Sequence, residues 1–291
     1  MEISSAAKTF PKVFIIILNY NGKDCLNKTL KDVFCLEYGN LEVILVDNNS
    51  VDGSLEDVLK TFSRVTVIRN SKNVGFAAGM NVGVRYALER GAEYVLLLNY
   101  DVSLPKKFLP LLVEDMEKDE KIGLGSPLIL EKSGAIWFSG GKINWWRMRA
   151  EQMTNSLQEN YLLSDYISGC AMLIRASVFR AAGLLDERYF LYYEDTDFSL
   201  AVKNAGYKLL VSSKSRITHL EKSQEGLAQK TYWLVFSALI FFKKNTPLYL
   251  RPWVSIFLGM RRLKNWLEMR NNKNNMAEAV QKAYRDFYDT E

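Results

Sequence analysis

Tyr94-Val95-Leu96-Leu97-Leu98-Asn99-Tyr100-Asp101 decides the fold. Val95 to Leu98 is apolar without alternation, with Gly91-Ala92 before it and Pro105 after it. Such a run reads as a strand buried on both faces, as in the middle of a parallel sheet. A carboxylate, Asp101, stands at its carboxyl end. In open α/β sheets ligands bind in the crevice outside those ends. The stretch therefore predicts that Asp101 holds a divalent cation, Mn²⁺ or Mg²⁺, which keeps waters and bonds phosphate oxygens.

Working outward, the pattern repeats. Val13–Leu18 and Leu41–Val46 are further apolar runs, ending in Asn19-Tyr20-Asn21-Gly22 and Asp47-Asn48-Asn49-Ser50, and Val65–Ile68 is another. Lys23–Phe34, a stretch opened by Asp52-Gly53-Ser54 with Ser54 as its cap, and Phe76–Arg90 read as helices between them. This alternation predicts an α/β fold with a doubly wound, mostly parallel sheet flanked by helices. Beyond Pro105 the expectations are a helix to Lys118, strands at Ile122–Leu130 and Ala135–Ile143, and a strand at Tyr166–Ile174 whose small residues suit close approach to a ligand. A helix from Tyr193 to Ala205, stopped by Gly206, precedes two short strands, Tyr207–Ser212 and Ser215–His219.

The chain's 291 residues, 48% of them hydrophobic, suffice for one large core. Cys25, Cys35 and Cys170 show no metal or disulfide spacing, which fits buried thiols in a reducing cytoplasm. Met1–Thr9 lacks a signal-peptide pattern and no apolar run reaches the ~18 residues of a membrane span, so a cytoplasmic location is expected. The net charge of +5 resides in the tail: Lys243–Glu291 holds 10 basic and 5 acidic residues, and the remainder balances. A neutral body without a basic, aromatic-laced patch speaks against nucleic acid.

In that tail Tyr232–Phe242 is nearly all apolar. Trp253, Ile256, Phe257, Met260, Leu263 and Leu267 share one helical face, interrupted by Arg261, Arg262 and Lys264. The expected division is a body at 1–225 and an amphipathic helical extension at 226–291. Its composition suits an anionic membrane leaflet, which would make the protein peripheral on the inner face of the cell membrane. Packing on the body, or on the second subunit of a homodimer, are the other readings.

Three polar clusters thus follow buried strands. Tyr20 offers a ring for base stacking and Asp47 an acceptor for a pyrimidine imino N–H. A metal on Asp101 would neutralise charge developing on a departing nucleoside diphosphate. Each residue alone fits a strand-end cap; three clusters at one sheet edge make a site. His219, the chain's single histidine, paired with Asp101 would complete a mixed nitrogen–oxygen site and tilt preference toward Mn²⁺. Glu194, Asp195 and Asp197 crowd like charges, which raises at least one pKa as a general base requires, although their spacing alone describes acids at a helix N-terminus.

Five stretches, in this order, resemble the family 2 glycosyltransferases of the GT-A fold, most closely the rhamnosyltransferase-like branch: Val46–Ser54, Asn73–Gly83, Leu97–Asp101, Ser168–Arg175 and Phe190–Phe198. The resemblance covers Lys12 to His219. It implies nucleotide binding by Leu18, Asn19, Tyr20, Asp47, Asn49, Asn73, Gly79, Asn99 and Tyr100. It implies a floor under the donor sugar at Ser168, Gly169 and Cys170 with Glu194 beside it, a catalytic base at Asp195, and a metal on Asp101 and His219. The implied reaction is an inverting displacement, in which a deprotonated acceptor hydroxyl attacks the anomeric carbon opposite the diphosphate. The implied donor is dTDP-rhamnose or a UDP-sugar, and the acceptor a glycan or lipid-linked sugar in cell-surface polysaccharide synthesis.

One departure matters. The first Asp of the family's DxD metal motif is Asn99 here, and the Pro common in this branch is Tyr100. A neutral Asn adds no charge, so metal affinity without nucleotide is expected to be weak. A catalytically silent nucleotide-sugar-binding module is the alternative, and retention of Asp101 and Asp195 counts against it. A nucleotidyltransferase would want a Gly-rich, basic triphosphate loop near the first strand, which the sequence lacks.

Overall fold

Only a strand covered on both faces buries every side chain it carries, and the apolar runs form such strands. In the computed structural model, which describes residues 10–156, 161–220, 226–271 and 275–289, β1 (Val13–Asn19) is buried at every position and β2 (Leu41–Asp47) from Val43 onward. With β3 (Val65–Arg69) and the fully buried β4 (Tyr94–Leu98) they lie parallel in the order β3-β2-β1-β4. The crossovers are α1 (Leu26–Phe34), α2 (Ser54–Thr61) and α3 (Phe76–Glu89). α3 approaches β1 closely through glycine: a Cβ on Gly79 would stand 2.5 Å from Leu18 Cδ1. Ser54 is not the cap of α2. It is the first helical residue, and the Asp52 carboxylate accepts its N–H (3.0 Å), its Oγ–H (2.6 Å) and the Lys23 N–H (2.9 Å), so the acid supplies the capping oxygen.

The chain continues through β5 (Val102–Ser103), α4 (Phe108–Met116), β6 (Ile122–Leu130), β7 (Ile136–Phe138), β8 (Gly141–Asn144), β9 (Arg149–Gln152), β10 (Tyr161–Leu163), β11 (Ala171–Arg175), α5 (Ala176–Ala182), α6 (Glu194–Asn204) and β12 (Lys208–His219). The sheet extends from β4 in the order β11-β6-β12-β10, and β5 on β12 and β7 on β6 bring it to ten strands among the described residues. β11 runs antiparallel to β4 and β6, and β12 parallel to β6.

The structure departs from the expected elements in three places. Ala135–Ile143 is not one strand: β7 stays on β6, and after Gly140, at φ +139°, β8 leaves to pair with β9. Tyr166–Cys170 is loop, and the strand begins only at Ala171. Tyr207–His219 holds one strand rather than two, irregular between Ser212 and Arg216. There Ser212 Oγ donates to Asp115 Oδ2 (2.6 Å) and Ser215 Oγ to the Phe108 carbonyl (2.8 Å), so the polar residues that read as a break are buried and bonded.

α7 (Leu227–Asn245), α8 (Arg251–Asn271) and α9 (Asn275–Asp289) follow. Phe241 and Phe242 of α7 and Val254 of α8 share a buried cluster with Met148, Tyr189 and Tyr193 of the body, and Leu239 joins α7 to Tyr284 and Phe287 of α9. Of the α8 stripe, Trp253 and Phe257 are half-buried, whereas Ile256, Met260, Leu263 and Leu267 remain 47–58% exposed; the buried side of the helix, with Val254 and Asn265, lies opposite them at 3.6 residues per turn. Among the described residues no helix is long and apolar enough to cross a membrane.

Candidate active site

The carboxyl ends of β1, β2 and β4 open on one sheet edge, because β1 pairs in register with both neighbours, Asn19 opposite Asp47 and Ile17 opposite Leu98. Asn19 is fully buried. Its Nδ2 donates to Asp47 Oδ1 (2.8 Å) and Ser54 Oγ (2.8 Å), with Ser50 Oγ at 2.9 Å, and its Oδ1 accepts the Gly22 N–H (3.1 Å). Asp47 Oδ2 accepts the Ser50 N–H (3.1 Å). The structure thus places both side chains inside the strand-end loops, where they hold the edge together. Asn49 is exposed at φ +64°, and Gly79 serves the contact of α3 with Leu18.

A cavity of about 410 Å³ opens beside this edge, lined among the expected residues by Leu18, Tyr20, Asn73, Asn99, Tyr100 and Asp101. Tyr20 is 46% exposed there. Asn48, Gly75, Phe76, Phe190, Leu191 and Gly226 line it too, as do Gln229, Lys230 and Trp233 of α7, which sequence reasoning missed. Trp233 stacks on Phe190 with ring centroids 4.4 Å apart. The Phe190 carbonyl accepts the Phe76 N–H at 2.7 Å, an approach that Gly75 permits: it sits at φ +87°, and a Cβ there would lie 2.5 Å from that carbonyl oxygen. The available signal for the α7 residues was the short connection from His219 to Leu227.

Asp101 and His219 meet through the β5–β12 pairing, which sets His219 opposite Val102 and lets the Leu220 N–H donate to the Asp101 carbonyl at 2.7 Å. His219 Nε2 lies 3.3 Å from Asp101 Oδ2, and its ring packs on Trp137 with centroids 4.7 Å apart. Among the described residues Asp101 Oδ1 and His219 Nδ1 are buried without a hydrogen-bond partner, a costly state; a cation on the Asp101 carboxylate would relieve its oxygen. One carboxylate and one imidazole suit Mn²⁺ or Mg²⁺. Among the described residues no third His, Cys, Asp or Glu joins them, so an ion here draws its other ligands from water and substrate.

A second cavity, about 480 Å³, shares Asn99, Tyr100 and Asp101 with the first and runs past His219, Ser168, Gly169 and Cys170 to Glu194 and Asp195. Asp195 Oδ2 accepts the Gly169 N–H (2.9 Å), and Oδ1 accepts the Thr196 N–H (2.6 Å) and Oγ–H (3.1 Å). Burial outweighs these bonds and raises its pKa above the ordinary aspartate value. Glu194 is 5% exposed; burial first, then the charge of Asp195, pushes its pKa well up, which favours the protonated, hydrogen-bond-donating form. Asp197, the third crowded acid, is structural. It accepts from Lys244 Nζ (2.7 Å), Asn245 Nδ2 (2.7 Å) and the Tyr189 hydroxyl (3.1 Å), which ties α7 to α6. Tyr192 and Tyr193 precede the acids at φ +68° and +67°. Left-handed backbone is costly for tyrosine, and here it turns the chain so that α6 starts at the cavity wall.

Glu194 makes a testable demand on stability. An unfolded glutamate loses its proton near pH ~4.3. Above that, and up to the raised folded value, the unfolded state binds fewer protons, so stability falls as pH rises. Glu194→Gln removes this loss. In thermal denaturation the variant and wild type should lie close near pH ~4 and diverge in the variant's favour toward neutral pH; a gap independent of pH would exclude the buried carboxyl as its cause.

Comparison with known proteins agrees with this geometry. Residues 14–180 match Glycosyl transferase family 2. dTDP-rhamnosyl transferase RfbF of Shigella flexneri is 26% identical over 250 residues, 82% of each chain. N-acetylglucosaminyl-diphospho-decaprenol L-rhamnosyltransferase of Mycobacterium tuberculosis is 21% identical over 238 residues, 73% of this chain and 77% of that one. Among solved structures, the fold resembles mannosyltransferase PcManGT from Pyrobaculum calidifontis in complex with GDP-Man and Mn²⁺, with a TM-score of 0.59 and 14% identity over 96% of this chain and 81% of that one. It also resembles GalNAc-T7 with UDP, GalNAc and Mn²⁺, with a TM-score of 0.62 and 20% identity over 74% of this chain and 44% of that one. The mostly parallel sheet flanked by helices is the GT-A fold.

Proposed function

Because the chain belongs to glycosyl transferase family 2, we propose that it moves a sugar from a nucleoside-diphosphate donor to an acceptor hydroxyl with inversion. The order of groups along the cleft carries this function: the Tyr20 ring, then the Asp101–His219 pair, then Asp195. Base, diphosphate and anomeric carbon follow one another in the same order. Mn²⁺ or Mg²⁺ on Asp101 and His219 would supply charge neutralisation for the leaving diphosphate. Lys230, which lines both cavities, adds positive charge beside it. The bonds from Gly169 and Thr196 orient the Asp195 carboxylate to take the acceptor proton. Glu194, held protonated, donates to a sugar oxygen.

The likeness to RfbF favours dTDP-rhamnose as donor, with a UDP-sugar second, and a glycan or lipid-linked sugar in cell-surface polysaccharide synthesis as acceptor. A panel of nucleoside-diphosphate sugars, tested with Mn²⁺ for thermal stabilisation and slow hydrolysis, should single out a thymine or uracil nucleotide. Stabilisation without hydrolysis or transfer would point to the silent binding module, and no stabilisation by any donor would end this proposal.

The free apolar face of α8, flanked by Arg262 and Lys264, fits the anionic leaflet of a membrane. Met260→Ser with Leu263→Ser removes two exposed side chains, each worth ~1.5–3 kcal/mol when buried in lipid. Co-sedimentation with phosphatidylserine vesicles should fall at least about tenfold; equal sedimentation by both proteins would exclude this face as the contact.

A further inference from the structure

The proposed function assigns the donor and metal to two cavities of the cleft, the second of which takes the sugar. A third, about 590 Å³, lies behind Asp195 and shares Gln152, Tyr192 and Asp195 with the sugar cavity. Its walls are of two kinds. Leu234 and Ala238 of α7 and Leu258 of α8 form an apolar side, with which sugar hydroxyls make no hydrogen bonds. Against it stand Arg149 of β9 and Arg261 of α8. Both are exposed, and among the described residues neither pairs with a carboxylate; Arg261 lies over the Phe257 ring at 5.6 Å. The lining acid other than Asp195 is Glu151, which accepts the Asn144 Nδ2–H at 3.3 Å.

In-line displacement brings the acceptor to the anomeric carbon from the side away from the diphosphate, so with the donor seated the acceptor reaches Asp195 through this third cavity. A neutral glycan would leave the apolar wall wet and both guanidiniums without an anion. We propose that the cavity is the acceptor site and that it selects a sugar joined through phosphate to an apolar chain. Arg149 and Arg261 read the phosphate oxygens, for which a planar guanidinium fork is suited. Leu234, Ala238 and Leu258 take the first part of the chain, and the acceptor hydroxyl reaches Asp195. The helix that carries Arg261 and Leu258 on this cavity carries Ile256 and Met260 on its free face, so one helix borders both the site and the surface on which such a lipid resides. The assignment rests on the transferase reading above.

The test titrates the full-length chain, with its nucleotide cavity saturated by dTDP or UDP and Mn²⁺, with farnesyl diphosphate, farnesol and inorganic diphosphate, followed by calorimetry. Farnesyl diphosphate should bind at least about tenfold more tightly than either fragment. Arg149→Gln and Arg261→Gln should each weaken it about tenfold, as loss of a charge-assisted bond does. Leu234→Asn, at a position 48% exposed and so tolerant of change, should weaken farnesyl diphosphate and leave inorganic diphosphate alone, and nucleotide affinity should stay unchanged in all three variants. Farnesol binding as tightly as its diphosphate, or full affinity in the doubly substituted arginine variant, overturns the proposal. A wild-type chain that binds neither dTDP nor UDP with Mn²⁺ strikes the transferase reading instead, in a separate titration.

Discussion

Asp195→Asn lowers kcat by roughly 10²–10⁴-fold, the usual worth of a positioned base, and leaves nucleotide affinity where it was. The amide retains an oxygen for the Gly169 or Thr196 N–H but cannot accept the acceptor's proton. Nothing in the nucleotide cavity is disturbed, because Asp195 does not line it. The pH profile gives an independent readout. The carboxyl must be ionised to work, and burial holds its pKa above the ordinary aspartate value, so the wild-type rate rises with pH through that raised value. In Asp195→Asn the acid limb assigned to this group is gone. Initial rates of transfer or donor hydrolysis across pH decide the matter, and near-normal turnover in the variant would remove Asp195 from the role of base.

Asp101→Ala has the second large effect, loss of the metal dependence of donor binding. The protein side of the proposed metal site is one carboxylate and one imidazole, 3.3 Å apart. Asn99, the neighbouring position on the strand end, brings no charge. Removing Asp101 leaves His219 as the single described ligand, too little to hold a hard dication against water. In calorimetry the wild type should bind nucleotide at least about tenfold more tightly with Mn²⁺ than without, a difference of ~1.4 kcal/mol, and in Asp101→Ala the two affinities should converge. Mn²⁺ without nucleotide should bind the wild type weakly. Equal nucleotide affinity with and without Mn²⁺ in the wild type would reject the site.

The parallel half of the fold was legible because burial on both faces leaves a plain mark: Val13–Leu18 and Val95–Leu98 have no polar residue to misplace. The other half was harder. β9 is short and polar at Arg149–Gln152, β10 is only three residues long at Tyr161–Leu163, and β12 carries buried serines whose bonds to Asp115 and Phe108 are invisible without the partners. Within the site, Asp101, His219 and Asp195 line one cavity as their types suggested. The bonds that Asn19 and Asp47 make to one another and to Ser50, Ser54 and Gly22 were not legible, because a buried hub and a ligand contact use the same residue types. The left-handed Tyr192-Tyr193 pair has no glycine or asparagine to announce it. The apolar run Tyr232–Phe242 marked the composition of α7 but not which side chains would wall a cavity built by residues far earlier in the chain.

That helix has a thermodynamic consequence. The first turns of α7 line the nucleotide cavity through Gln229, Lys230 and Trp233, its middle lines the cavity behind Asp195 through Leu234 and Ala238, and its far end is fastened to α6 by Lys244 and Asn245 on Asp197. On the proposed assignment of the two cavities, both substrates therefore bear on one helix. With acceptor in the third cavity, any shift of α7 that one substrate favours changes the affinity for the other, and linkage requires that the factor be the same whichever binds first. The two binding equilibria close a thermodynamic square, and its corner energies are measurable without a single turnover.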